Sequence, residues 1–312
     1  MKKILIGIPV LNNLEMTRAC LQKMLAHTDV EQNALQVEIV IIDNGSSEDI
    51  AGLLLHEFNN TKIPIHYRRN PYNMGVAVAW NQILRFSSAP IPPSAFSYQY
   101  YVIANNDALV CPNWLQPMVQ AMDDDKGIGW ISSLENGSPI LAELIEAHTI
   151  SKQYRVDPSK PFDTAAIHDS ITSIYAEWGG HAAFCQRIAD KLPLFIPFTK
   201  EVRSAVCFMV RPEMIEDLGF FDEDFWPIGV SEDLEYFLRV GGVFPATGTI
   251  PRSDAHQPSW KAGFCGKSIV HHNWCSTHQG KNFDGRKWDK EREKNWRKKF
   301  RKSKKYFTTL LS

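Results

Sequence analysis

Four short apolar runs up to residue 104 alternate with segments of helical spacing. The runs are Ile4–Ile8, Val37–Ile42, Ile63–Tyr67 and Tyr100–Ala104, the last following a Pro90–Pro93 loop. Between them, Leu14, Ala19, Leu21, Met24 and Leu25, then Ile50, Leu53, Leu54, Leu55 and Phe58, then Met74 to Phe86 supply apolar helical faces. Such a β-α-β-α-β-α-β order predicts an α/β fold: a mixed, mostly parallel Rossmann-like sheet with helices on both faces. Right-handed crossovers then bring the carboxyl ends of the strands to one edge, where ligands of open α/β sheets bind.

Beyond residue 110 the pattern loosens. A helix is expected over Trp114–Met122, a strand over Ile128–Ser132, a strand over Val202–Val210, a helix over Pro212–Leu218, a helix capped by Ser231 and running through Val240, and a strand over Ser268–His271. Leu134 to Pro197 shows no clear period and is read as an insertion. No run approaches the ~18 apolar residues of a membrane span, and the first apolar run stops too early for a secretory segment. An intracellular, cytoplasmic protein is the expectation. The six cysteines show no paired spacing, so free thiols are expected.

Chemistry-bearing residues gather where strands are expected to end. Asp43 closes the second run just before Asn44-Gly45-Ser46, which sets its carboxylate at the sheet edge as an acceptor for ribose hydroxyls or a base N–H. A helix cap would look the same. Asn73 and Gly75 lie at a loop-to-helix junction, where small residues admit a ligand to backbone amides. Asn105-Asn106-Asp107 follows Ala104 directly and offers hard oxygen ligands suited to Mg2+ or Mn2+, or else a turn.

Taken in order, Ile8-Pro9-Val10-Leu11-Asn12, Val40–Asp43 with Asn44-Gly45-Ser46, Asn70-x-x-Asn73-x-Gly75, Asn105-Asn106-Asp107, then Arg211, Gly219–Asp222, Glu232-Asp233 and Arg239 resemble family 2 glycosyltransferases of the GT-A fold. The resemblance covers about residues 3 to 280, with the insertion unmatched, and implies a GT-A domain over 1–280: a nucleotide-sugar half (1–110), an acceptor-side insertion (134–200) and an acceptor and catalytic half (201–280). It implies that Pro9, Asn12, Asp43, Asn44, Asn73, Gly75, Asn105 and Asn106 contact a nucleotide-sugar donor. Asp107, with His271 or His272, would hold Mn2+ or Mg2+ on the diphosphate. Asp233, with Glu232 second, would be the base that deprotonates an acceptor hydroxyl. One base and no second nucleophilic carboxylate imply a single displacement with inversion. Asn105 stands where the family pattern carries its first acid, which makes the site less anionic.

Residues 281–312 form a basic tail. From Lys281 to Lys305 there are 13 Lys and Arg against 4 Asp and Glu, so in a chain of net charge −1 the rest is acidic. Trp288, Trp296, Phe300 and Phe307 fall on one helical face with cations around it. That amphipathic helix either packs on the domain, lies on an anionic membrane near a lipid-linked acceptor, or binds nucleic acid. The acceptor classes implied are therefore a glycan, a lipid-linked glycan or a modified DNA base, the last because bacteriophage enzymes that glycosylate modified DNA bases include members of this broad class. A noncatalytic sugar-nucleotide or nucleic-acid binding module and a nucleotidyltransferase are the alternatives, although the first strand lacks the Gly-rich phosphate loop of the latter. Two soft-ligand groupings stand out besides: Cys265, His271, His272, Cys275 and His278, whose irregular spacing argues against zinc, and His181 with Cys185, one helical turn apart and expected in the core or the acceptor pocket.

Overall fold

The computed structural model of the chain describes residues 1–31, 34–88, 96–144, 172–173, 175–199, 204–225, 232–240, 260–273, 290 and 293–294. Its strands are β1 (Lys2–Val10), β2 (Leu35–Asp43), β3 (Ile65–Arg69), β4 (Tyr100–Ala104), β5 (Ala108–Val110), β6 (Ile128–Glu135), β7 (Phe195–Pro197), β8 (Cys207–Val210) and β9 (Lys261–His272). The helices are α1 (Leu14–His27), α2 (Ile50–Glu57), α3 (Val76–Leu84), α4 (Leu115–Asp124), α5 (Pro139–Leu144), α6 (His181–Lys191), α7 (Pro212–Leu218) and α8 (Glu232–Val240).

One nine-stranded sheet runs in the order β3-β2-β1-β4-β8-β6-β9-β5, with β7 paired to β9. Its β1–β2, β1–β4, β2–β3 and β6–β9 pairs are parallel. β8 lies antiparallel between β4 and β6, so those two again share a direction. Six strands therefore point the same way, and Val10, Asp43, Arg69, Ala104, Glu135 and His272 end at one edge. This is the mixed, mostly parallel sheet the sequence predicts.

Strand alternation sends side chains to two cores. Ile4, Ile6, Ile8 and Val10 pack with Met16, Ala19, Cys20 and Met24 of α1 in the first, whereas Leu5, Val40 and Ile42 pack with Ala79, Trp80 and Ile83 of α3 in the second. Burying each such side chain contributes about 1.5–3 kcal/mol relative to exposure. Gly7 is small because α3 lies directly on it: a Cβ there would come within 2.2 Å of Ile83 Cγ2. Trp130 stacks on Phe208 at 4.0 Å in the second core, with Phe221, Tyr236 and Phe237 edge-on or tilted around it.

Several boundaries differ from expectation. β6 runs on to Glu135, β9 begins at Lys261, and the three-residue β5 was not expected at all. The second strand of the later half is shorter, Cys207–Val210. Within the insertion, Phe184, Cys185 and Ile188 of α6 join the first core and β7 pairs with β9, so these parts share the sheet's core. Ser231 and the tail, apart from Lys290, Glu293 and Lys294, lie outside the described residues. Among the described residues no helix is long and apolar enough to cross a membrane.

The cysteine expectation needs correcting. Cys20, Cys207 and Cys265 are free and buried, but Cys111 and Cys185 form a disulfide across 74 residues. Spacing cannot reveal such a bond, because it is the sheet that brings the end of β5 against α6.

Candidate active site

Asp43 ends β2 fully buried, opposite Arg69 at the end of β3. Its Oδ1 accepts the Ser46 amide at 2.8 Å; Oδ2 accepts the Tyr67 hydroxyl at 2.7 Å and Arg69 Nη1 at 2.5 Å. Burial alone would raise this carboxyl, but the Tyr67 hydroxyl, the Ser46 donors and the Arg69 charge outweigh it and hold the group below the usual carboxylate range. Tyr67 and Arg69 were not singled out in the sequence. Their signal was the one-face alternation of β3, which points residues 67 and 69 the same way.

Pro9 and Asn12 join this corner. Val10 turns its carbonyl to β2, accepting Asn44 N at 2.7 Å, so the preceding Pro9 faces the β4 side beyond the last β1–β4 pair, Gly7–Ile103, where a missing N–H costs no ladder bond. Asn12 and Asn13 both adopt the left-handed conformation (φ 58° and 59°), which Asn tolerates better than most residues. That bend lets the Asn12 amide donate to Ser46 Oγ at 2.8 Å and its side chain accept the Ser47 amide at 2.8 Å.

Asn44 is buried, and its side chain is tied to that of exposed Asn73. Asn44 Nδ2 donates to Asn73 Oδ1 at 3.0 Å and to the Gly75 carbonyl at 3.2 Å, and its Oδ1 accepts from the Met74 amide and Asn70 Nδ2. Asn73 Oδ1 also accepts the Gly75 amide. Gly75 caps α3 with φ 89°, which side chains avoid. These three residues knit the β2–α2 loop to the β3–α3 loop.

After β4 the chain reverses. Asn105 N donates to Val206 O at 2.8 Å and Asn105 O accepts from Ala108 N, which feeds β5 antiparallel onto β9 with Ala108 facing His272. Asn106 Nδ2 donates to Thr17 Oγ1 at 3.0 Å and to the Asn12 carbonyl at 3.3 Å, linking this turn to the Asp43 corner. Asp107, 5% exposed, sets Oδ1 3.4 Å from His272 Nε2, while His272 Nδ1 meets Glu135 Oε2 at 2.8 Å. Of the two adjacent histidines, it is His272 that meets Asp107. His271 turns into the core, its Nδ1 at 2.8 Å from the Tyr175 hydroxyl.

The electrostatics separate the pair. Burial would lower both histidines, but the Asp107 and Glu135 carboxylates overcome it at His272 and raise it to about 10, whereas His271 stays well below its ordinary value. Glu135 escaped the sequence reading because β6 was expected to stop at Ser132. A junction in which two carboxylates flank one imidazole stabilises positive charge, and an oxygen and a nitrogen 3.4 Å apart can reach one divalent ion together. Asp107 and His272 are the residues that could hold Mn2+ or Mg2+ here, with His272 giving up its Nε2 proton to the incoming ion.

Glu232 and Asp233 begin α8, which packs Tyr236, Phe237 and Val240 into the second core. Glu232 is buried, and Asp233 Oδ1 accepts from the Leu234 amide at 2.7 Å. They are carried by this helix and not by the strand ends that join Asp43 to Asp107. Two other residues of the sequence pattern hold backbone: Arg211 donates to the Ile128 and Met122 carbonyls at 2.6 Å each, and Arg239 pairs with buried Glu235 and donates to the Leu218 and Phe220 carbonyls.

Of the cysteine-histidine groupings, Cys265 lies buried within β9 against β6 and β7, away from the strand end that carries His271 and His272, while Cys275 and His278 lie outside the described residues. His181 and Cys185 are on α6 beside Cys111, with His181 Nε2 3.5 Å from Cys111 Sγ. Burial, with Lys23 and His27 nearby, pushes His181 down to about 3.

The model of glycosyl transferase family 2 matches residues 5–192, more than half of the chain, and the chain belongs to that family. It is similar in fold to a mannosyltransferase from Pyrobaculum calidifontis solved with GDP-Man and Mn2+, at 14% identity and a TM-score of 0.53, covering 99% of this chain and 67% of that one. It is also similar to GalNAc-T7, solved with UDP, GalNAc and Mn2+, at 15% identity and a TM-score of 0.50, covering 87% of this chain and 44% of that one. The fold is the GT-A architecture of the glycosyltransferases. No curated protein matches the sequence.

Proposed function

We propose that the chain is a divalent-metal-dependent, inverting glycosyltransferase that moves a sugar from a nucleotide-sugar donor to an acceptor hydroxyl. The observation that carries this reading is the Asp107–His272–Glu135 junction, joined through Asn106 and Asn12 to the Asp43 corner along one edge of the sheet. The Mn2+ in both similar solved structures supports the same reading.

Each residue type suits its part. The Asp43 corner, with Pro9 and Asn12, borders the nucleoside; Asn44, Asn73 and Gly75 shape the loops beside it, and Asn105 and Asn106 set the turn that presents Asp107. Asp107 and His272 would hold Mn2+ or Mg2+, and the ion would supply positive charge to the departing diphosphate. Glu135 orients His272 from behind through Nδ1, as a carboxylate does for many ligating imidazoles. His271, turned to Tyr175, packs β9 in place. Asp233 takes the proton from the acceptor hydroxyl on the opposite face of the sugar, with Glu232 beside it in the first turn. The acceptor is a glycan, a lipid-linked glycan or a modified DNA base, and the basic tail favours an acceptor that carries or adjoins negative charge.

A thermal-shift panel of nucleotide sugars with and without Mn2+ tests the donor half, because a ligand that binds only the folded chain raises its apparent stability. Release of free nucleoside diphosphate marks glycosyl transfer; pyrophosphate as product would mark nucleotidyl transfer, and no turnover with any acceptor class would mark a binding module.

A further inference from the structure

On the far side of β5 from Asp107 lies a cluster that the proposed reaction does not use. Cys111 follows β5 directly, and α6 presents His181 and Cys185 from successive turns of one face. The two sulfurs and the imidazole nitrogen all lie within 4.8 Å of one another, so three potential metal ligands converge here. We propose that, when the Cys111–Cys185 bond is reduced, Cys111, His181 and Cys185 form a binding site for a thiophilic divalent ion, zinc, with water in the fourth position.

The geometry already approaches that of a zinc site. Bonds of about 2.3 Å to sulfur and 2.0–2.1 Å to nitrogen at a tetrahedral angle place S and N about 3.5 Å apart; Cys111 Sγ and His181 Nε2 are 3.5 Å apart. The two Cα atoms lie 6.5 Å apart, near the wide end of the ~4.4–6.8 Å that a disulfide spans. Freed sulfurs can therefore separate by rotation of their side chains without moving the strand or the helix. Soft thiolates with one imidazole select zinc over the hard ions suited to Asp107. A cavity of about 290 Å³ reaches both cysteines, with Gln186, Asp190 and Lys267 also on its wall.

The chemistry balances with a phosphine reductant. The phosphine attacks the disulfide and water completes the step, leaving phosphine oxide and two thiols. Zinc then forms two Zn–S bonds and one Zn–N bond while the thiols release two protons. The disulfide form and the zinc form exclude one another, and each ties β5 to α6. Cys111, common to both forms, lies four residues along the chain from Asp107, and Tyr175 bridges His181 to His271, its ring centroid 4.8 Å from that of His181 and its hydroxyl hydrogen-bonded to His271.

The test is an anaerobic cobalt titration of the full chain in tris(2-carboxyethyl)phosphine, since Co2+ reports thiolate ligation by charge-transfer absorption and tetrahedral geometry by intense visible bands. The expected result is one thiolate-ligated Co2+ per reduced chain, displaced by zinc, with none in the oxidised chain. Asp107→Asn should leave these bands unchanged. In Cys111→Ser and Cys185→Ser they should vanish, and His181→Ala should weaken affinity by more than the roughly 10–100-fold that loss of a supporting residue produces. Alkylation of the wild-type reduced chain supplies a readout that needs no variant: zinc should slow modification of Cys111 and Cys185 together. Absence of thiolate bands in the reduced wild-type chain, their persistence without Cys111 and Cys185, or equal alkylation with and without zinc would each overturn the proposal.

Discussion

His272 Nε2 stands 3.4 Å from Asp107 Oδ1, and the register of β5 on β9 puts it there by setting Ala108 opposite His272. The residues are 165 positions apart in the sequence. A three-residue strand and a tight turn thus complete the junction, and a one-residue slip would present His271 instead, a side chain that the core holds neutral against Tyr175.

Asp43 should control acid stability. Its folded carboxyl lies below the usual range, so its contribution is fully present above the unfolded value of about 3.9 and is lost as pH falls through the folded value. Asp43→Asn should lower stability at pH 7 by about 1.5–3 kcal/mol, the scale of a hydrogen bond to a charged group. In denaturant melts the gap to wild type should close as the pH drops below about 4. A gap that stays constant down to pH 2 would exclude this role.

Gly7→Ala should destabilise the chain by about 1–3 kcal/mol through overpacking, because the new methyl would meet Ile83 from α3. Adding Ile83→Ala should recover part of the loss in chemical denaturation. Destabilisation that adds fully across the two substitutions would show that they do not share that contact.

The order of strands in the first hundred residues was legible because turn-forming residues and helical segments separate the apolar runs, and Asp43 and Ala104 end their strands as read, whereas β1 and β3 run two residues past their expected ends, to Val10 and Arg69. Other features lacked a local signal. β5 is three residues long, and β9 hides its length behind Gly263, Gly266 and Lys267. β6 was cut short at Ser132, which concealed Glu135, because buried Ser132 and Ser133 look polar while bonding to Ser204 O and Ser268 Oγ. The choice between His271 and His272 depended on register, and the Cys111–Cys185 bond on tertiary packing. Asn44 and Asn73 were readable as edge residues, but not the hydrogen bonds that tie them to each other and to Gly75.

Arg239→Met should be among the most destabilising single changes away from the strand ends. It would strand the Glu235 carboxylate, which is fully buried, and leave the Leu218 and Phe220 carbonyls without their donor. Breaking a buried pair from one side costs about 3–5 kcal/mol, and replacing both partners costs less. Urea melts of Arg239→Met, Glu235→Leu and the double variant would check this; a double variant as unstable as the sum of the singles would contradict it.

Asp233→Asn should leave nucleotide-sugar binding intact and lower kcat by about 10²–10⁴-fold, the range of a positioned general base. Glu232→Gln should have the smaller effect. Wild-type turnover in Asp233→Asn would assign the proton transfer to another group.

The central claim is that Asp107 and His272 hold the divalent ion through which the chain binds a nucleotide sugar. Calorimetric titration of a nucleotide-sugar panel into wild-type chain and Asp107→Asn, each with Mn2+ and again with a chelator, tests it most directly. At least one nucleotide sugar should bind the wild-type chain with Mn2+, and the chelator or the substitution should weaken that binding by at least about 10-fold. Equal affinity in all four conditions, or no binding by any member of the panel, would contradict it.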